Sequence, residues 1–292
     1  MNIKKRTAVV DILGGFGNQL FQFAFANTLR KEGFDVFINL YNFKRVEKEK
    51  NSIITNRDLV LPLEFFNLEE LTFSNFIKYD LIDKLKLSKL KILRGNQTFN
   101  NYFSWFNDKH IRLDSTSKKN RFTGYWQTLD NLEANKVFLI NSLKKEALFM
   151  EALNYKGVNG STSLHIRRGD YLLISENLND EYYIKAIEYA KNNIEDFHYE
   201  IFTDDVYWVK KNKIFKDAIK IHPFENTREN TKVSFANLLK NENFIISNSS
   251  FSLLAAFLKE NDNSKILFPE PWFKYQDSPC LSKKNWIPII NN

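Results

Sequence analysis

Thr162-Ser163-Leu164-His165-Ile166-Arg167-Arg168-Gly169-Asp170-Tyr171 decides the fold. Apolar residues alternate from Thr162 to Ile166, which reads as a strand, and Gly169 permits the turn that follows. Beyond the strand come two guanidiniums and a carboxylate. In open α/β sheets, ligands bind outside the carboxyl ends of strands. Guanidinium forks match phosphate oxygens bidentately and keep their charge at any working pH. A strand ending in paired arginines therefore points to a phosphorylated ligand; the alternative is a solvated charged turn. His165 and Arg167 are two apart and share a face, which favours a joint role over a core histidine.

Downstream the pattern alternates regularly. Strands are expected at His198–Phe202, Ala218–Ile221, Phe244–Ile246 and Lys265–Phe268. Helices are expected at about Glu181–Asn193, around Trp208 and Val209, at Ser234–Lys240 and at Phe251–Lys259. Such alternation implies a parallel, doubly wound sheet. Upstream, Ala8–Leu13 reads as a strand and Gly14-Gly15-Phe16-Gly17 as a loop. Asn18 or Gln19 opens a helix that Gly33 stops, and Asp35–Leu40 is the next strand, giving a βαβ start. Residues 44–125 are irregular, with Leu/Lys runs such as Leu81 to Leu93 and an aromatic cluster at Tyr102 to Phe106. Helices and loops shaping an acceptor cleft are expected there. Gly124-Tyr125-Trp126-Gln127 is a compact turn, and a helical stretch runs from Leu129 to Leu153. Lys156 to Ser163 is the linker candidate. The expectation is an α/β chain of two Rossmann-like domains, 1–155 and 156–292, facing a central cleft.

Composition narrows the function. The 292 residues suffice for two domains of about 150 residues each. A net charge of +7 suits an anionic small molecule or an acidic membrane surface, but no common nucleic-acid signature is present. The single Cys280 allows no intramolecular disulfide and no thiolate zinc site. The four histidines, 110, 165, 198 and 222, form no metal pattern. Neither a signal-peptide core nor an apolar stretch of about 18 residues occurs, so a soluble or peripheral cytoplasmic protein is expected.

Four polar groups fall at expected strand ends, each with two readings. The glycine loop is a tight turn or a backbone cradle whose helix N-terminus favours an anion. It lacks the spaced glycines of dinucleotide binders and the Gly-Lys-Ser/Thr of phosphate loops. Asn18 and Gln19 add amides suited to sugar hydroxyls or phosphate oxygens. Asp204 and Asp205 cap the next helix, or one accepts from the donor edge of guanine. Ser249 and Ser250 are caps or part of a phosphate cradle.

Gly14-Gly15-Phe16-Gly17-Asn18-Gln19-Leu20-Phe21-Gln22-Phe23-Ala24 resembles the N-terminal motif of the α-1,2-fucosyltransferases, glycosyltransferase family 11. His165-Ile166-Arg167-Arg168-Gly169-Asp170-Tyr171 looks like their His-x-Arg-Arg-Gly-Asp-Tyr hallmark. Phe202-Thr203-Asp204-Asp205 is similar to their Phe-Ser-Asp-Asp. Asn248-Ser249-Ser250-Phe251-Ser252 with Ala255-Ala256-Phe257-Leu258 resembles their last motif, with Leu253-Leu254 in place of its Trp pair. The four occur in the family's order.

The resemblance implies a GT-B fold, GDP-fucose as donor, a glycan acceptor that is an oligosaccharide or lipid-linked, and inversion with no metal or other cofactor. Arg167 would neutralise the departing GDP, with Arg168 as a buttress. His165 and one of Asp204 or Asp205 would lie by guanine. Asn248, Ser249, Ser250 and the Phe251 amide would hold the pyrophosphate, and Gly15, Gly17, Asn18 and Gln19 would approach the donor across the cleft. Asp170 is the candidate proton acceptor; a turn role or an Arg168 ion pair is its alternative. Another sugar-nucleotide donor, or a non-catalytic nucleotide- or glycan-binding role, are the rival readings. A peripheral position at the cytoplasmic membrane face would suit a lipid-linked acceptor.

Overall fold

The computed structural model describes residues 6–40, 58–72, 100–104, 119–274 and 281–291. Leu81–Leu93, most of the 44–125 stretch, Trp105, Phe106, His110 and Cys280 lie outside them.

The first sheet contains β1 (Arg6–Asp11), β2 (Phe34–Asn39), β3 (Glu69–Glu70), β4 (Asn100–Ser104) and β5 (Lys119–Gly124). Its order is β3-β2-β1-β5-β4, with every pairing parallel. Helix α1 (Phe16–Lys31) joins β1 to β2, and α2 (Leu129–Leu143) and α3 (Ala147–Asn154) follow β5. The second sheet holds β6 (Ser161–Ile166), β7 (His198–Thr203), β8 (Lys220–Pro223), β9 (Asn243–Ile245), β10 (Ile266–Glu270) and β11 (Ile287–Ile290). It runs β11-β10-β9-β6-β7-β8, again wholly parallel. Its helices are α4 (Gly169–Leu173), α5 (Asp180–Asn193), α6 (Val206–Lys211), α7 (Arg228–Leu239) and α8 (Ser250–Lys259). The α/β class with two Rossmann-like parallel sheets is as expected.

β6 is the first strand of its sheet in sequence, yet it lies between β7 and β9. All six of its residues are buried. The connection therefore reverses direction between β6 and β9, and the loops leaving these two strands open a crevice where parallel sheets take ligands. In the first sheet β1 likewise lies between β2 and β5, so the glycine loop and the turn at 124–127 leave neighbouring strands.

Several boundaries differ from the sequence expectation. The glycine loop ends earlier, and α1 begins at Phe16. The stretch 129–153 is two helices, broken where Glu146 turns extended. α7 begins at Arg228, because the Thr227 hydroxyl accepts from the Asn230 N–H at 3.2 Å and starts the helix early. Arg168-Gly169-Asp170-Tyr171 is not a bare turn but leads into α4. β5 falls in a stretch expected to be helices and loops; its sequence carries no strand period, because only Phe122 in it is strongly apolar. β11, in the tail, adds to the second sheet, while Lys283 just before it reaches back to Glu133 of α2 at 2.9 Å.

One apolar cluster runs through α1, α3, α7 and α8. Phe16 meets Phe235 edge-on at 5.0 Å, Phe149 meets Phe235 at 5.6 Å, and Phe235 meets Phe251 at 5.2 Å. Each such pair contributes about 0.5–1.5 kcal/mol beyond its buried area. α8 carries this load because Ser252 to Leu258 are all buried. The N-termini of α1 and α8 are thereby held against each other.

Candidate functional site

Gly17 makes that contact possible. A Cβ there would lie 2.5 Å from the Ser250 carbonyl carbon and 2.7 Å from the Phe251 nitrogen. Gly15 differs: it is the residue preceding α1, has φ −75°, and a Cβ there would meet nothing within 4 Å. Open space thus lies in front of one glycine, and the α8 backbone in front of the other.

Asn18 stands at the junction. Its Oδ1 accepts from the Ser250 hydroxyl at 2.8 Å and from the Gln127 amide at 2.8 Å. One oxygen therefore ties the loop after β1 to the turn after β5 and to the start of α8. Gln127 lies in the turn after β5, outside the residues that the sequence motifs assign to the site. It is positioned by Trp126, which takes φ +56° and stacks on Phe25 at 4.2 Å. A left-handed non-glycine residue costs of order 1 kcal/mol or more, which this stacking offsets.

Gln19 is fully buried and committed to backbone. Its amide donates to the Gly14 and Asp58 carbonyls at 3.2 and 2.8 Å, and its oxygen accepts from the Val60 N–H at 3.1 Å. It shapes the loop and, unlike Asn18, has no amide atom left for a ligand. Gln22 does the same, bonding Leu13 through both ends of its amide and the Gly124 carbonyl at 2.9 Å.

In the second sheet, Arg167 leaves the end of β6 between two carboxylates. Its guanidinium is 2.7 Å from Asp204 and 2.5 Å from Asp170. The Arg167 and Asp204 side chains are 14% and 11% exposed, while Asp170 is 42% exposed. The Asp170 partner is therefore Arg167, not the Arg168 of the alternative reading. The Tyr171 ring lies under the guanidinium, 5.6 Å from centroid to carbon, and its hydroxyl donates to the Asn248 carbonyl at 3.0 Å. Burial pushes that phenol well above its usual range, so it stays a donor.

Arg168 is held as a buttress. Its Nε pairs with Asp205 at 3.0 Å, its guanidinium stacks on Trp208 at 4.1 Å, and its backbone N–H donates to Asp204 at 2.8 Å. Asp205 also caps α6, accepting from the Trp208 N–H at 2.9 Å. The two aspartates thus divide their work: Asp205 is the cap, and Asp204 faces Arg167. A Cβ at Gly169 would lie 2.7 Å from the Asp204 carboxylate, so a larger residue there would push on the group that faces Arg167.

His165 is buried, with Nδ1 2.7 Å from the Ser247 hydroxyl. Burial first, and Arg167 second, lower its pKa to about 3. It is neutral at physiological pH and can offer a hydrogen bond but no charge. Ser249 caps α8, accepting from the Phe251 N–H at 3.4 Å. Asn248 donates to the Glu176 carbonyl at 2.7 Å, while its own buried side-chain oxygen has no hydrogen-bond partner among the described residues. The structure therefore gathers His165, Arg167, Asp170 and Asp204 around the β6 end, and Asn18, Ser249, Ser250 and Phe251 around the α8 start. Tyr171, Ser247, Trp208 and Gln127 complete it. Tyr171 and Gln127 stood inside the quoted motifs; only the fold shows what they touch. Among the described residues no three His, Cys, Asp or Glu side chains cluster as a metal site, and no helix is long and apolar enough to cross a membrane.

An Escherichia coli α-1,2-colitosyltransferase is 28% identical, covering 96% of this chain and 98% of that protein. The Escherichia coli O-antigen biosynthesis glycosyltransferase WbnK is 27% identical over 94% of this chain and 98% of its own length. Among solved structures, a mutant of Arabidopsis thaliana FUT1 in complex with GDP has a TM-score of 0.48 at 11% identity, covering 92% of this chain and 72% of that one. The fucosyltransferase NodZ from Bradyrhizobium has 0.44 at 15%, covering 88% and 94%. These structural likenesses are shallow, and assignment rests on sequence. The family model for glycosyl transferase family 11 matches residues 7–289, nearly the whole chain, and the chain belongs to that family.

Proposed function

We propose that this glycosyltransferase moves L-fucose from GDP-fucose to a glycan hydroxyl, the 2-hydroxyl of a galactose-type residue, with inversion and without a metal, in surface-polysaccharide or lipopolysaccharide synthesis. The observation that carries the reading is Arg167. It stands at the switch point of the second sheet, aligned by Asp204 and Asp170, beside the loop that starts α8. A fixed cation there stabilises charge as it develops on the leaving diphosphate, at no reorganisation cost. The α8 N-terminus, with Ser249, Ser250 and the Phe251 N–H, supplies partial positive charge to the same group. Neutral His165 and the Asp204–Asp205 pair frame the nucleoside side, and Asn18 brings the first unit against the donor. The acceptor hydroxyl then attacks the anomeric carbon from the face opposite GDP, and Asp170 takes its proton.

Colitose is the second reading for the transferred sugar, supported by the α-1,2-colitosyltransferase relative. The Arg and Ser contacts read the diphosphate and leave the sugar to other residues.

Titration calorimetry in chelator, with GDP, GDP-fucose, GDP-colitose, GDP-mannose and UDP-galactose, tests both. Selective binding of guanine nucleotides is expected. Arg167→Ala should weaken GDP by about 10- to 150-fold, the equivalent of a charged hydrogen bond worth about 1.5–3 kcal/mol. Tight binding of the uridine nucleotide, or no nucleotide binding, would overturn the donor assignment. GDP-colitose binding better than GDP-fucose would select the second reading.

A further inference from the structure

Lysines crowd one short segment of this chain, at the β8 edge of the second sheet. Between Tyr207 and Lys220, lysines 210, 211, 213, 216 and 220 face the single Asp217, a net +4 out of the chain's +7. All five are exposed. Asp217 is occupied by Lys191 at 3.0 Å, and Lys211 lies over the Tyr207 ring at 4.1 Å. Lys210, Lys213, Lys216 and Lys220 form no ion pair among the described residues. The segment comprises α6, the turn after it and the start of β8, the outer strand of the second sheet. Two large apolar side chains of the same segment are exposed as well: Tyr207 at 69%, against Lys211, and Ile219 at 61%.

We infer that this edge docks on a bilayer containing anionic phospholipid. Clustered lysines on one face add attraction to a negative leaflet with each cation. The exposed Tyr207 and Ile219 add what a membrane interface rewards and a polyanion in water does not: apolar groups that enter the headgroup boundary. Nucleic-acid and phosphopeptide sites favour arginine, whose fork matches phosphate bidentately; between Tyr207 and Lys220 there is no arginine. The lysines lie at the end of α6 and the start of β8, where Lys220 is in register with Glu200, toward the end of the sheet away from Arg167, so docking here leaves the β6 site uncovered.

Sedimentation with vesicles tests this independently of donor and acceptor. One set is phosphatidylcholine alone; the other adds phosphatidylglycerol. The protein should bind the mixed vesicles, ignore the neutral ones, and release as salt is raised. Each lysine near the surface is worth about fivefold in affinity. The variant K210Q/K213Q/K216Q/K220Q should therefore lose several hundredfold while its melting temperature and GDP affinity stay at wild-type values. Failure of the wild-type protein to bind mixed vesicles, or equal binding by the variant, would overturn the inference. So would retention on a duplex DNA or RNA oligonucleotide in preference to the vesicles, which would mark a nucleic-acid surface instead.

Discussion

Gly17→Ala and Gly15→Ala are single-methyl changes two residues apart, and the structure assigns them opposite consequences. At Gly17 the new carbon would sit 2.5 Å from the Ser250 carbonyl carbon, where ordinary contact begins at 3.4 Å. The ends of α1 and α8 must therefore part by about 0.9 Å. Both ends are anchored by the Phe16, Phe235 and Phe251 cluster, so the shift propagates into packed core. Overpacking of this kind costs about 1–3 kcal/mol. For a chain of this size that lowers the melting temperature by about 2 °C to about 10 °C. On the proposed reading the same shift misplaces Ser249, Ser250 and Asn18, and an error near 1 Å can cost about 100-fold in rate. At Gly15 the methyl enters open space with φ already negative. Its cost is the poorer capping by alanine, about 0.5–1 kcal/mol. If the open space is where the diphosphate approaches, Gly15→Ala weakens GDP binding more than it weakens the fold. Differential scanning calorimetry and GDP titration on both variants decide the matter. Equal melting temperatures for the two variants would refute the claim that Gly17 exists for the helix contact.

Two further predictions rest on the charges around β6. Asp170→Asn should leave GDP affinity unchanged or raise it, because it removes a competitor for Arg167, while transfer falls by about 100- to 10,000-fold if Asp170 takes the acceptor proton; near-normal turnover in a folded variant would remove it from the chemistry. His165 has a folded pKa of about 3 against the ordinary 6.5, so its contribution to stability is fully present above about pH 6.5 and is lost as pH falls toward about 3. Between those limits the unfolded chain takes up a proton that the native state refuses, a slope of about 1.4 kcal/mol per pH unit. Denaturant unfolding of wild type and His165→Asn from neutral to acid pH should show a shallower fall in the variant, and parallel curves would contradict the buried neutral imidazole.

What could be read from sequence was what repeats locally. β6 and β7 carry alternating apolar residues and β9 a short apolar run, and the fold class follows from their alternation with helices. β5 broke the pattern because its polar residues serve another purpose. Arg121 and Thr123 both donate to the buried Asp11 carboxylate, which also accepts from Asn39 at 2.6 Å. A strand built around a buried carboxylate has no hydrophobic period to detect. In the site, residue types were legible but partners were not. Gln19 and Asn18 are adjacent amides of similar chemistry, yet one is spent on residues 58–60 and the other reaches Ser250, 232 positions away. Nothing local separates them. The division between Asp204 and Asp205 is likewise set by where α6 begins, which a run of two aspartates leaves open.

Arg167 is held by two unequal carboxylates, and the inequality bears on how the site would work. Asp204 is nearly buried, receives the Arg168 N–H and packs against Gly169; removing it from Arg167 would strand a desolvated charge, at a cost of several kcal/mol. Asp170 is two-fifths exposed, and a pair so placed contributes about 1 kcal/mol or less. An incoming diphosphate brings more charge than Asp170 and can take its place for that small cost, while Asp204 goes on fixing the guanidinium in position. The arginine is thus aligned before the ligand arrives, and the group that yields is the carboxylate facing solvent. On the proposed reading, nucleotide binding itself then releases Asp170 from its cation. The carboxylate that yields Arg167 is the one proposed to take the acceptor proton, which ties that step to the arrival of the donor.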